Sequence, residues 1–218
     1  MHGELRIVPD VAQAFAGLVR RRRPRILALS GGDTAERAYA HLASFDDLGW
    51  ARMTVLMSDE RWVPVDDPDS NEGMARRVLL DRVGVTDVRS MRAAGPDPAS
   101  AAAAYDELLQ GFPVIDLLHL GMGADGHTAS LFPGTAALRE EQALVVTNRS
   151  PAHPHERLTF TYPAIRRARL AVVTIEGAQK REALARVRAG EDVPAARIRA
   201  EEVRWLVSPE VVSGTAPG

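Results

Sequence analysis

The feature of the sequence that most constrains the fold is a nearly continuous apolar run at residues 114–120 that stops abruptly at glycine. Short runs of this kind are typical of parallel strands buried on both faces. The glycines that begin at Gly121 let the backbone turn sharply, and Asp125 and His127 follow them. Parallel α/β sheets bind ligands outside the carboxyl ends of their strands, so His127 lies where a functional side chain is expected. An imidazole can serve there as a general base near neutral pH.

Two other interpretations of this stretch stay open on its own residues. Residues 121–126 match the G-x-G-x-x-G pattern of dinucleotide-binding folds, but that pattern alone is weak. The next predicted strand, at residues 143–147, ends in Thr147 and Asn148 instead of the acidic residue that binds a ribose. In the second interpretation, His127 is a structural turn residue whose ring caps a nearby carbonyl. The rest of the chain has to decide between them.

Apolar runs alternate with helical segments along the chain. The alternation predicts an α/β fold, namely one Rossmann-like three-layer α/β/α domain with a mostly parallel central sheet. The 218 residues, 45% of them hydrophobic, suffice for one sizeable core. We expect a single domain over residues 1–218, with its core at about 5–207 and a frayed tail at 211–218. The predicted strands are 5–8, 25–29, 53–57, 114–120, 143–147, 170–175 and 203–207, and the predicted helices include 11–22, 35–43, 72–82 and 98–110.

Composition excludes several classes of function. The formal net charge is −2, and the one basic run, residues 20–25, is short, so we expect no nucleic acid partner. The sequence has no Cys and shows neither a signal peptide nor a long apolar segment, which favours a cytoplasmic protein without a membrane partner. His153 and His155 flank one proline and lack a suitable third ligand, so no metal site is predicted.

The strand at residues 25–29 leads directly into Ser30, Gly31, Gly32, Asp33 and Thr34, after which a helix is predicted. A glycine-rich turn at a helix N-terminus presents backbone N–H groups and a favourable dipole to an anion such as a phosphate. An ordinary tight turn with Asp33 or Thr34 as the N-cap fits the same residues equally well.

The strand at residues 53–57 delivers Asp59, Glu60 and Arg61 to the same edge of the sheet. Arg61 could hold a phosphate in bidentate fashion, whereas the alternative is a solvated ion pair of little energetic value. Lys180 is the only lysine among 27 Lys and Arg residues, and it lies in the first turn of a predicted helix that runs to about Arg188. Because a cation there opposes the helix dipole, an anion explains Lys180 better than helix stability does.

Five blocks of the sequence, in this order, are similar to the 6-phosphogluconolactonase family. The resemblance extends over roughly residues 5–207, and the block at residues 123–134 is the most specific. The blocks are Ser30-Gly31-Gly32-Asp33-Thr34, the pair Asp59 to Pro64 and Asp69-Ser70-Asn71, Gly121 to Gly134, Glu156-Arg157-Leu158-Thr159, and Gly177-Ala178-Gln179-Lys180.

The resemblance implies hydrolysis of 6-phosphoglucono-δ-lactone to 6-phosphogluconate in the oxidative pentose phosphate pathway, without a metal or an organic cofactor. It implies that His127 activates water as the general base and that Asp125 orients the ring or contacts a sugar hydroxyl. It also implies a monomer or weak homodimer whose partner is the small sugar-phosphate substrate. The residues implied in substrate or phosphate binding are Ser30, Gly31, Gly32, Asp33, Thr34, Asp59, Glu60, Arg61, Gly123, Arg157 and Lys180.

The sequence departs from the family pattern at two places. Asp33 replaces a small hydroxyl residue and Ala35 a proline in the first turn, which places a carboxylate beside the expected phosphate site. Ser208 and Pro209 stand where the family commonly has Asp, which puts the local helix in question. The alternatives are a glucosamine-6-phosphate deaminase, which would continue differently after the histidine, and a non-catalytic sugar-phosphate sensor.

Overall fold

A computed structural model of the chain describes residues 1–150, 152 and 154–213. Within them the strands are β1 (Glu4–Ile7), β2 (Ile26–Leu29), β3 (Thr54–Met57), β4 (Asp59–Arg61), β5 (Asp87–Arg89), β6 (Ile115–Gly121), β7 (Val145–Arg149), β8 (Glu156–Phe160), β9 (Ala168–Ile175) and β10 (Glu202–Val207). The helices are α1 (Val11–Arg22), α2 (Asp33–Leu42), α3 (Asn71–Val78), α4 (Pro98–Gln110), α5 (Tyr162–Ile165), α6 (Arg181–Ala189) and α7 (Pro209–Val212).

Seven parallel strands form the central sheet in the order β1-β10-β9-β6-β2-β3-β5. The predicted α/β fold with a mostly parallel sheet flanked by helices is confirmed, and the central sheet is parallel throughout. Six of the predicted apolar runs became strands of this sheet, and the interior strands among them are buried on both faces, whereas β1 lies at the edge and is largely exposed. Among the described residues, no helix is both long and apolar enough to cross a membrane.

The chain reverses its direction of travel across the sheet next to β2. From β2 it proceeds outward through β3 to β5, and it then returns to the other side of β2 with β6. Such a topological switch point leaves a crevice at the carboxyl ends of the two diverging strands, and open α/β folds bind their ligands there. A ligand site is therefore expected between the loops that follow β2 and β6.

A second, antiparallel sheet of three strands, in the order β4-β8-β7, was not predicted. Its strand β4 consists of Asp59, Glu60 and Arg61, which were expected in a loop because none of them is apolar. The predicted strand at residues 143–147 belongs to this sheet as β7, and β8 carries Arg157. Register places Arg61 opposite Arg157 on neighbouring strands.

Local signals explain where the longer helices begin and end. The carboxylate of Asp10 accepts a hydrogen bond from the N–H of Gln13 and so caps α1, which ends at Arg23 in the left-handed conformation. Arginines in the last turn of α1 favour the negative end of the helix dipole. The first three residues of the basic run at 20–25 therefore form the end of a helix.

Three sequence predictions about helices and ends need correction. The helix expected at residues 72–82 ends at Val78, because Leu79 leaves the helical conformation before a short 3-10 turn. The tail expected from residue 211 begins too early, because Val211 is buried in α7. That helix forms in spite of Ser208 and Pro209, since proline is well suited to the first turn of a helix. Residues 214–218 lie outside the described part of the chain.

Candidate active site

A cleft of about 240 Å³ lies at the switch point, outside the carboxyl ends of β2 and β6. Residues that follow five different strands contribute to it, so the fold brings together side chains from most of the chain. Of the residues predicted to form the site, nine line this cleft: Ser30, Gly31, Gly32, Asp59, Arg61, Gly123, His127, Arg157 and Lys180.

Asp125 and His127, which were predicted to be catalytic and are therefore called the catalytic pair here, form a short contact in the loop after β6. Oδ1 of Asp125 lies 2.6 Å from Nδ1 of His127 and also accepts the backbone N–H of His127 at 3.0 Å. Partial burial by itself would raise the pKa of Asp125, but the hydrogen bonds from His127 outweigh it and lower the pKa to about 2. An ionised carboxylate at Nδ1 fixes the ring and leaves Nε2 as the nitrogen with a free lone pair.

Glycine at position 123 is required by the position of the His127 ring. A Cβ added to Gly123 would lie 2.1 Å from Nδ1 of His127 and 2.6 Å from Oδ1 of Asp125. The loop also closes on itself, because the N–H of Gly123 donates to the carbonyl of His127 at 2.9 Å. Glycine therefore serves here as space for the imidazole and not as part of a dinucleotide pattern, and no helix opens directly after residue 126.

Arg61, Arg157 and Lys180, here called the cationic wall, supply positive charge to the cleft. Arg61 and Arg157 come from paired positions of β4 and β8, so their guanidinium groups are close neighbours. Arg157 is only 5% exposed, and burial followed by repulsion from Arg61 lowers its pKa. Burial also lowers the pKa of Lys180, partly offset by the nearby carboxylates of Asp125 and Asp33.

The cationic wall forms no close ion pair with the part of the chain that the structure describes. Within the described residues, no carboxylate oxygen lies within 4.0 Å of a side-chain nitrogen of Arg61, Arg157 or Lys180. Nε of both arginines is buried without a hydrogen-bond partner, although Arg61 also donates to the carbonyl of Asp69. Buried donors and charges are normally satisfied, so this arrangement suits an anion that accepts several hydrogen bonds.

Asp59 contacts the loop that carries the catalytic pair. Its carboxylate is 5% exposed and accepts a hydrogen bond at 2.8 Å from the hydroxyl of Ser130, which follows His127 in the chain. The hydroxyl of Ser58 lies 3.4 Å from the other carboxylate oxygen. Asp59 thereby connects the small antiparallel sheet to the loop that carries the catalytic pair.

The first turn of the site depends on a contact that the sequence did not predict. Gly31 lies directly against Asn71, and a Cβ at position 31 would approach Oδ1 of Asn71 to 1.9 Å. Nδ2 of Asn71 donates to the carbonyl of Asp59 at 3.0 Å. The amide of Asn71 thus fixes the spacing between the glycine turn and β4 while it lines the cleft itself.

Helix α7, near the C-terminus, holds the turn that carries Lys180. Oε1 of Glu210 in α7 accepts the N–H of Gly177 at 3.1 Å, and the carbonyl of Glu210 accepts a hydrogen bond from Arg181 at 2.8 Å. Lys180 lies between these two contacts, in a 3-10 turn that precedes α6 rather than in the first turn of that helix.

Four predicted site residues do not line the cleft. Glu60 is 1% exposed, and its carboxylate accepts hydrogen bonds from backbone N–H groups at the start of α3 and from Ser70, so its predicted contact with substrate is corrected to a helix-capping role. Asp33 is exposed in the first turn of α2, where its charge favours the helix dipole, and Thr34 donates to Glu176. Asp125 lies behind the ring of His127.

Several cleft residues were not predicted as site residues: Asn71, Gly121, Met122, Ala129, Ser130 and Phe132. Asn71 was named only within the block Asp69-Ser70-Asn71, and nothing local indicates that its amide turns toward the glycine turn. Ala129 adopts a φ of 47°, which is unusual for a residue with a Cβ. Ser130 and Phe132 lie within the block at residues 123–134, so the resemblance of that block could have indicated them as site residues.

The described residues contain no group of three or more His, Asp or Glu side chains arranged to hold a metal ion. His155 instead contacts Asp69, with Nε2 at 3.0 Å from a carboxylate oxygen. His153, the other histidine considered as a ligand, lies outside the described residues. The expectation that the protein needs no metal stays a prediction.

The chain is similar to known proteins over nearly its whole length. Residues 5–207 match the family model of glucosamine-6-phosphate isomerases/6-phosphogluconolactonase. A 6-phosphogluconolactonase of Synechocystis sp. is 38% identical over 214 residues, which cover 91% of this chain and 88% of that protein. A Pseudomonas putida 6-phosphogluconolactonase is 36% identical and covers 88% of this chain and 81% of its own length.

The solved structure of 6-phosphogluconolactonase from Trypanosoma brucei superposes on this fold with a TM-score of 0.86 at 27% identity, and the match covers 99% of both chains. The sequence family, the fold and the cleft at the switch point lead to the same assignment. The chain belongs to the glucosamine-6-phosphate isomerase/6-phosphogluconolactonase family.

Proposed function

We propose that this protein is a 6-phosphogluconolactonase, which hydrolyses 6-phosphoglucono-δ-lactone to 6-phosphogluconate. The observation that carries the proposal is the unpaired cationic wall of Arg61, Arg157 and Lys180 in the same cleft as a histidine held by a carboxylate. A phosphate ester at one end and a hydrolysable carbonyl at the other fit these two sets of groups. The names of the relatives described above support this substrate over other sugar phosphates.

In the proposed reaction, Nε2 of His127 takes a proton from a water molecule while the water oxygen bonds to the lactone carbonyl carbon. The tetrahedral intermediate then collapses, the bond between that carbon and the ring oxygen breaks, and the ring oxygen receives the proton from the imidazolium. Asp125 keeps the ring in the required tautomer and stabilises the imidazolium while it exists. One water is consumed, and His127 ends in its starting state.

The cationic wall holds the phosphate in this proposal. Arg61 and Arg157 offer several N–H donors to phosphate oxygens, and Lys180 adds a compact charge in the same cleft. The glycine turn at residues 30–32 supplies backbone N–H groups at the start of α2. Anchoring the phosphate positions the carbonyl near His127, which suits a lactone that is already reactive toward water.

A coupled assay tests the proposal. Fresh 6-phosphogluconolactone is added to the protein, and the 6-phosphogluconate formed is oxidised by an excess of 6-phosphogluconate dehydrogenase. We expect the wild type to open the lactone well above the spontaneous rate, and we expect no release of ammonia from glucosamine 6-phosphate. A wild type no faster than buffer would contradict the proposal. The cytoplasmic location, the monomer or weak homodimer and the absence of a nucleic acid partner stay predictions.

A further inference from the structure

A chain of buried hydrogen bonds runs beneath the glycine turn, away from the cleft. The hydroxyl of Tyr39 accepts the N–H of Ser30 at 2.7 Å and lies 3.1 Å from the carbonyl of the same residue. The hydroxyl also lies 2.8 Å from Nδ1 of His119, and Nε2 of His119 lies 2.9 Å from Oγ1 of Thr174. The chain thus connects the end of β2 to β6 and β9, on both sides of the switch point.

The two central members are polar groups in the most apolar part of the molecule. Tyr39 and His119 are fully buried, and the ring of His119 stacks on Phe15 with 3.9 Å between ring centroids. Burial lowers the pKa of His119 to about 3, so the imidazole is neutral, and burial raises the pKa of Tyr39. A leucine at position 119 would avoid the desolvation of a polar ring, so packing alone does not explain a histidine there.

Both tautomers of a neutral His119 complete this series of hydrogen bonds. With the proton on Nε2, the Tyr39 hydroxyl donates to Nδ1 and Nε2–H donates to Thr174. With the proton on Nδ1, the ring donates to Tyr39, the Tyr39 hydroxyl donates to the carbonyl of Ser30, and the Thr174 hydroxyl donates to Nε2. The N–H of Ser30 donates to the Tyr39 oxygen in either case, so Tyr39, oriented by His119, holds the backbone of Ser30.

The glycine turn needs such a support. Gly32 has a φ of 97°, and α2 begins without a side-chain cap, so no neighbouring side chain fixes the first N–H groups of that helix. Two consecutive glycines would otherwise leave this backbone free to adopt several conformations. Ser30, which precedes them, is held from below by Tyr39.

We infer that Tyr39 and His119 are positioning residues that fix the backbone of the Ser30–Gly32 turn for a phosphate in the cleft. The inference rests on the proposed function only for the identity of the phosphate ester. Neither residue touches the cleft, and both act through the backbone of Ser30. Because the turn contacts the substrate far from the reacting carbonyl, losing the support weakens the ground state and the transition state alike, which raises KM and leaves kcat nearly unchanged.

Another buried tyrosine of the protein, Tyr105, provides a closely matched control. Tyr105 is also fully buried, and its hydroxyl also accepts a backbone N–H near the end of a strand, that of Met57 in β3 at 3.1 Å. It donates to the carbonyl of Arg89 at 3.0 Å and does not touch the glycine turn. Tyr39→Phe and Tyr105→Phe therefore remove equivalent hydroxyl groups, and they differ in whether the turn loses its support.

The experiment measures lactone KM and kcat, the binding of inorganic phosphate by calorimetry, and thermal stability for the wild type and for three variants. We expect Tyr39→Phe to raise KM and the phosphate Kd by roughly three- to tenfold, the loss that corresponds to one buried hydrogen bond. Thr174→Val, which keeps the side-chain shape at the far end of the chain, should raise both by about twofold. Tyr105→Phe should lose stability with KM and Kd unchanged.

The inference is overturned if Tyr39→Phe keeps both KM and the phosphate Kd at the wild-type values, or if Tyr105→Phe raises them as much as Tyr39→Phe does. If Tyr39→Phe does not fold, Thr174→Val decides, and unchanged phosphate affinity in that variant contradicts a chain acting through His119. Phosphate binding needs no lactone. A wild type that lacks lactonase activity would therefore contradict the proposed function, while the phosphate titrations would still test the positioning role.

Discussion

The catalytic pair, Asp125 and His127, comes from one short loop, whereas the cationic wall combines residues 61, 157 and 180 from different strands and turns. The members of the pair satisfy each other, because Oδ1 of Asp125 lies 2.6 Å from Nδ1 of His127 and accepts its backbone N–H. The three cations of the wall, in contrast, have no carboxylate oxygen within ion-pair distance among the described residues. The loop therefore holds its geometry without a ligand, whereas we propose that the wall is completed by the phosphate of the substrate. Chemistry and anchoring should then be separable by mutation.

The largest effect is expected from His127→Ala. Removing the general base should lower kcat for lactone opening by about 10²- to 10⁴-fold, the usual contribution of such a base. The coupled assay at saturating substrate measures it, with the spontaneous rate subtracted. His41→Ala, which removes an exposed histidine in α2, is the control and should be indistinguishable from the wild type. Loss of less than about tenfold in His127→Ala would leave the catalytic pair without its proposed role.

The second largest effect is expected from a substitution in the cationic wall, and it concerns KM. Arg157→Met should raise KM by about tenfold to a hundredfold, because charge-assisted hydrogen bonds to the phosphate are lost. It should also raise the melting temperature without ligand by roughly 2–4 °C, since a buried cation beside Arg61 is replaced by an apolar side chain. Arg169→Met, which removes an exposed arginine paired with Asp116, is the control for charge.

These two measurements sharpen the comparison when they are read together. A variant that becomes more stable as it loses substrate affinity is expected only where a cation is held for a ligand rather than for the fold. A lower melting temperature in Arg157→Met, with KM unchanged, would mean that Arg157 belongs to the internal structure of the small sheet instead.

A smaller effect is expected from Asp125→Asn. Because the pKa of Asp125 is about 2, the wild-type carboxylate stays ionised throughout an assay between about pH 5 and 9. Asparagine keeps the shape of the side chain but removes the anion that orients the ring, so kcat should fall about tenfold across this whole range. A kcat equal to that of the wild type, measured in the coupled assay at several values of pH within the range, would contradict the orienting role.

The same contrast explains what the sequence could predict. The catalytic pair and its glycines lie within seven residues, so one stretch contained the whole geometry. Strands such as β6 and β9 were predictable because a strand buried on both faces needs a continuous apolar run. Strand β4 was missed because Asp59, Glu60 and Arg61 carry no such pattern, and pairing with β8 makes them a strand.

The remaining differences between the sequence predictions and the structure concern one short edge strand and two contacts between residues distant in sequence. Strand β5 has three residues at the edge of the sheet, too few for an apolar pattern. Glu60 was expected to meet substrate, but its carboxylate reaches N–H groups that lie 11 and 12 residues later in the chain. Asn71 meets Gly31 across 40 residues, and no periodicity reports such a contact. Residue type indicated the chemistry of these groups, and only the fold determined which of them face the cleft.

Titration of 6-phosphogluconate into the wild type, His127→Ala and Arg157→Met by calorimetry tests the central claim most directly, because it separates anchoring from chemistry in one binding measurement. The account predicts that His127→Ala binds within about threefold of the wild type, while Arg157→Met binds at least about tenfold more weakly. Equal loss of affinity in both variants, or loss confined to His127→Ala, would contradict it.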